Sequence, residues 1–81
     1  MADYNKALEL DPQHTSAYYN RGFLNFELEQ YSQAIDDYNK VIEFNPYYAA
    51  AYYNRGVVYQ ALGKQKEADE DFATYKDLGG K

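Results

Sequence analysis

Few side chains in these 81 residues could carry out chemistry, and they are poorly placed for it. His14 is the single histidine. It lies in the polar stretch Asp11-Pro12-Gln13-His14-Thr15, with no second imidazole nearby and no cysteine in the chain, so it has no partners at the spacing a zinc site or an activated nucleophile needs. Carboxylates adjoin at Asp36-Asp37 and at Asp69-Glu70-Asp71. Neighbours in sequence diverge around a helix, and no desolvated pocket is indicated that would raise the pKa of one of them, so they read as a solvated face. Gly79-Gly80 lacks the strand and the helix that a phosphate loop requires. The serines and threonines have no base at a recognisable spacing. The expectation is a chain with no catalytic residue, no metal and no cofactor.

Composition narrows the partners. The net charge is −5 with the acidic residues dispersed, which argues against nucleic acid or an anionic membrane surface. No apolar run approaches the ~20 residues needed to span a bilayer, and the start MADYNKALEL lacks the regions of a signal peptide. A cytoplasmic protein is the simplest expectation. Eleven tyrosines and four phenylalanines without a tryptophan put hydroxyls on much of the apolar surface, and such residues favour interfaces.

The elements that position these residues follow from a repeat. The hexapeptide AYYNRG occurs at Ala17–Gly22 and, 34 residues on, at Ala51–Gly56. Aligning Asp3–Ala34 with Asp37–Ala68 gives 14 identities in 32 positions, including DYNK, Pro12/Pro46, Leu28/Leu62 and Ala34/Ala68. From Tyr31 to Phe44 apolar residues recur at steps of three and four, one side of a helix. Asp11-Pro12 and Asn45-Pro46 end helices, because the residue before proline is pushed out of the α region. Gln30 and Gly63 mark shorter breaks. The pattern predicts five helices, at about 2–10, 14–29, 31–44, 48–62 and 65–78. Short connections make neighbours antiparallel hairpins, and a hairpin buries its apolar surface only against the next.

These letters resemble the tetratricopeptide repeat, a 34-residue helix-turn-helix with an aromatic, a glycine, an alanine, a second aromatic and a proline at set spacings. The first full copy supplies Tyr18, Gly22, Ala34, Tyr38 and Pro46; the second supplies Tyr52, Gly56, Tyr59, Ala68 and Phe72. The resemblance implies an all-α, right-handed α-solenoid of antiparallel helical hairpins. It divides one domain, 1–81, into a second helix of a partial repeat (1–14), a full repeat (15–48) and a last repeat with a polar capping helix (49–81). Gly22 against Ala34, and Gly56 against Ala68, would let the helices of a hairpin approach closely. Two departures stand out: Arg21 and Arg55 replace the usual apolar residue before glycine, and Asn25 replaces a common tyrosine. Asp3, Asp37 and Asp71 share one repeat position and are the expected partners of the arginines.

The resemblance also implies a non-catalytic module that binds a peptide or helix of a partner protein in a concave groove lined by first helices. Carried over residue by residue, it puts Tyr19, Asn20, Phe23, Phe26 and Glu27, then Tyr53, Asn54, Val57, Gln60 and Ala61, toward that groove. Members that hold a chaperone's C-terminal carboxylate use lysine where this chain has Tyr19 and Tyr53, and asparagine where it has Phe23 and Val57, so that basic clamp is absent here. Tyr19, Tyr53, Asn20 and Asn54 fit equally a joint between adjacent hairpins. A rival expectation is self-association to a homo-oligomer through an open first half-repeat bearing Tyr4, Ala7 and Leu8; a trimmed or designed scaffold without a natural ligand is a third.

Overall fold

The computed structural model describes residues 14–80. Four α-helices follow in order with short connections: α1 (Thr15–Glu27), α2 (Tyr31–Phe44), α3 (Ala49–Ala61) and α4 (Gln65–Asp77). No strand occurs among the described residues. The helix expected at 2–10, with Tyr4, Ala7 and Leu8, lies outside them.

Each boundary has a local cause. The His14 ring accepts from the Ala17 N–H through Nδ1 at 3.2 Å and satisfies one of the donors a helix start leaves open. Helix α1 closes with the Gln30 N–H on the Asn25 carbonyl at 2.8 Å, and α3 closes identically with Lys64 on Tyr59 at 2.8 Å. Such a closure places the residue before the donor in the left-handed region. That residue is Gly63 in the second hairpin, at φ 76°, and its repeat equivalent Glu29 in the first, at φ 60°. A side chain there costs about 1–2 kcal/mol, partly offset by the freedom glycine loses on folding. Glu29→Gly is therefore expected to stabilise the fold by about 0.5–1 kcal/mol, read as a rise in urea midpoint at constant slope. Between the hairpins, Asn45 ends α2 and starts a turn: its side-chain Oδ1 accepts from the Tyr47 N–H at 3.2 Å and its carbonyl from the Tyr48 N–H at 3.1 Å.

Helix α1 packs on α2 and α3 on α4, and α2 also packs on α3, which joins the hairpins into an all-α solenoid. The core lies at that junction: Ala34, Tyr38 and Val41 of α2 meet Ala51 and Val58 of α3, flanked by Tyr18, Tyr19, Phe26, Tyr31, Ile35, Ile42 and Tyr48. Full burial of Val41 and Val58 contributes about 1.5–3 kcal/mol each. Where α2 packs Ile35 and Ile42 against this core, α4 carries Asp69 and Lys76 at the equivalent positions, both exposed.

The glycines permit close approach, and at Gly22 the nearest neighbour is an aromatic ring: a Cβ there would lie 3.0 Å from the Tyr38 ring, and at Gly56 2.7 Å from the Phe72 ring and 3.2 Å from the Ala68 carbonyl oxygen. The aromatic ring one turn beyond the alanine reaches back over the glycine. Ala34 and Ala68 are themselves fully buried.

Candidate functional site

The two faces of each first helix do different work. The inner face of α1 carries an ion pair into the hairpin: Arg21 grips Asp37 of α2 through Nε (3.0 Å to Oδ2) and Nη2 (2.6 Å to Oδ1). Asn25, one turn further along α1, donates to Asp37 Oδ2 at 2.9 Å. The second hairpin repeats the pair, with Arg55 on Asp71 at 2.9 and 2.7 Å, and Arg55 also donates to Asn39 of α2 at 2.8 Å. Arg21 lies over the Tyr18 ring, and Arg55 over Tyr52 and Tyr59. Hydrogen bonding to the aspartates is the main cause that raises the pKa of both arginines. The expected Arg–Asp pairing is thus present within each described hairpin, and it buries Asp37 and Asp71, so that of the adjoining carboxylates only Asp36, Asp69 and Glu70 keep the solvated face expected of them all; Asp3 lies outside the described residues. Asn25 and Asn39 were not foreseen as members. The signal for Asn25 was its place four residues after Arg21, which puts both on one helix face.

The other face of α1 and α3 carries the ten residues expected to turn toward a groove, Glu27 and Ala61 among them and both exposed, and the structure sorts them. Tyr19 and Asn54 meet: the Asn54 amide donates to the Tyr19 hydroxyl at 2.6 Å. The Tyr19 ring packs on Tyr38 (5.9 Å between centroids) and Tyr48 (5.2 Å). This pair therefore links the two hairpins. Phe26 packs on Tyr31 at 5.7 Å and supports the core. The rest face outward. Phe23 is 48% exposed and Tyr53 46%; Asn20 and Gln60 are exposed, and Val57 is half-buried. Asn20, Phe23 and Glu27 form one exposed row along α1, spaced as successive turns of one helix face. Tyr53 packs one side on Phe72 and Tyr75, at 5.4 and 5.0 Å, and turns the other to solvent. A second cleft of ≈ 500 Å³ opens between α1 and α2, lined by Tyr18, Arg21, Asp36, Asp37, Asn39, Lys40 and Glu43. Its strongest charges, Arg21 and Asp37, already neutralise each other.

Under this face lies a buried hydroxyl. Burial, with Tyr19 and Asp37 adding to it, raises the Tyr38 pKa far above its ordinary 10.0. In the unfolded chain the phenol ionises near pH ~10, while in the folded chain it stays neutral, so the stability it contributes is complete below that pH and is lost as pH rises above it. Denaturant titrations from pH ~9 to ~11 are expected to show stability falling by up to about 1.4 kcal/mol per pH unit for this group, with a shallower fall in Tyr38→Phe. An equal slope in both proteins would remove Tyr38 as the cause.

A family model described as TPR repeat matches residues 1–29 and 24–63, and one described as tetratricopeptide repeat matches residues 49–79. Comparison with curated proteins gave no match. Among solved structures, MamA is 33% identical with a TM-score of 0.91, over 94% of this chain and 44% of that one. The first TPR of Spaghetti (RPAP3), bound to the HSP90 peptide SRMEEVD, is 32% identical with a TM-score of 0.90, over 94% and 60%. A tetratricopeptide repeat protein from Parabacteroides merdae is 30% identical with a TM-score of 0.87, over 94% and 30%. The chain thus spans less than two thirds of the length of each of these relatives.

Proposed function

Since the chain belongs to the tetratricopeptide repeat family, a protein-interaction fold, we infer that the outer face of α1 and α3 binds a peptide or helical segment of a partner protein. The observation that carries this is the exposure of two large aromatics, Phe23 and Tyr53, on helices whose inner faces pack within the hairpins. Aromatic anchors supply most of the energy where a partner covers them. Exposed Asn20 adds an amide that can both donate to and accept from a peptide backbone. Support also comes from Spaghetti, whose similar domain was solved with a peptide bound.

The residues divide the labour. Phe23, Tyr53 and Val57 provide apolar contact, Asn20 and Gln60 orient the backbone, and the Tyr19–Asn54 bond fixes the angle between the hairpins so that the face is preformed. A preformed face orders less on binding and loses less entropy. The test is to pan a random peptide display library on the chain and measure the enriched peptides against Phe23→Ser and Val57→Ser. Loss of one anchor is expected to weaken binding by at least about tenfold, or ~1.4 kcal/mol, with helicity unchanged. Equal affinity for wild type and both variants would move the site elsewhere.

A further inference from the structure

The charge on this face constrains what it can hold. Helix α1 carries one cation, Arg21, and α3 one, Arg55. Both are turned to the inner side and engaged by Asp37 and Asp71, so neither helix supplies a full positive charge to the outer face. The exposed row of α1 ends instead on Glu27, the last residue of that helix. The last turns of α1 and α3 hold no basic residue, so the partial negative charge at each helix C-terminus stands uncompensated. The two helices run parallel, each antiparallel to α2, and these termini fall at the same end of the face. The nearest cation in sequence is Lys64, beyond the end of α3 in its connection to α4; the equivalent place in the first hairpin is the neutral Gln30.

We propose that this face takes an internal apolar or aromatic segment carrying lysine or arginine, with the cation placed at the Glu27 end, and that it rejects acidic carboxyl-terminal peptides of the kind bound to Spaghetti. The inference rests on the reading of the α1–α3 face as the binding site and specifies its ligand class. The physical reason is desolvation. A carboxylate brought against Phe23 and Val57 sheds water and meets no cation of α1 or α3, whereas a basic side chain lays its methylenes along those residues and keeps its charged end at Glu27.

The experiment uses fluorescently labelled nonapeptides with blocked ends, each holding two phenylalanines and either two lysines or two glutamates, together with SRMEEVD bearing its free carboxyl end. Anisotropy titrations with the full chain are expected to rank the lysine peptides about tenfold tighter than the glutamate peptides, as a charge reversal at one partly screened site allows. SRMEEVD is expected to bind most weakly. The exposed Glu27→Lys variant should invert the order, and added salt should narrow the gap. Equal binding of lysine and glutamate peptides, both lost in Phe23→Ser, would overturn the charge preference and leave the face standing. Tightest binding by SRMEEVD would also overturn it. Binding of neither series, or binding that Phe23→Ser leaves untouched, would overturn the face and the preference together.

Discussion

Replacing Asp37 by alanine is expected to cost about 3 kcal/mol of folding stability, near the lower end of what breaking a buried charge pair costs. Asp37 is 3% exposed and accepts from both Arg21 and Asn25, which is itself 5% exposed. Alanine removes the acceptor from the buried Asn25 amide and from the half-buried Arg21 guanidinium at the α1–α2 cleft, and an unmade buried hydrogen bond costs more than a made one contributes. For a domain of this size the loss corresponds to a fall in Tm of roughly 12–24 °C. Asp37→Asn keeps one carbonyl acceptor while dropping the charge and should fall between. Thermal and urea unfolding of the three proteins check this. A loss under about 1 kcal/mol for alanine would mean the pair behaves like a solvent-exposed one.

Gly56→Val is expected to be similarly damaging for a steric reason. Glycine inside a helix is disfavoured by about 1 kcal/mol relative to alanine, so a side chain at 56 would help if there were room. There is none: the first carbon would sit 2.7 Å from the Phe72 ring and 3.2 Å from a backbone oxygen of α4. The ring can turn; the carbonyl can move only with its helix. Overpacking of this kind costs about 1–3 kcal/mol, with valine at the upper end and Gly56→Ala near 1 after the propensity gain is counted. Because the wedge tilts α3 on α4, both variants should also weaken the enriched peptides beyond what stability explains. Gly56→Ala that proves more stable than wild type in urea would show that the helices part without strain.

Much of this architecture was legible in the residues. The repeat and the apolar spacing placed the four described helices, Asn45-Pro46 and the breaks at Gln30 and Gly63 ended three of them, and Asp37 and Asp71 were among the expected partners of the arginines. What was not legible depends on rotamers and on neighbours distant in sequence. That the Tyr38 ring limits the space at Gly22 is a matter of where an aromatic side chain folds back. The division among the expected groove residues is of the same kind. Tyr19 and Tyr53 occupy one repeat position, yet Tyr19 accepts from Asn54 and packs on Tyr48, while Tyr53 stays 46% exposed. The hexapeptide around them is identical; what differs is that the next hairpin, through Tyr48 and Asn54, lies against Tyr19, while Tyr53 packs on Phe72 and Tyr75 of its own hairpin.

The central claim is that the α1–α3 face is where a partner binds. Its most direct test is an amide chemical-shift map of the isotopically labelled chain, titrated with the tightest peptide from the display library. The expected result is perturbation concentrated in α1 and α3, around Asn20, Phe23, Glu27, Tyr53, Val57 and Gln60, with the exposed side of α4 silent. Perturbation centred on the Arg21–Asp37 cleft or on α4, with Phe23 and Val57 unmoved, would contradict it.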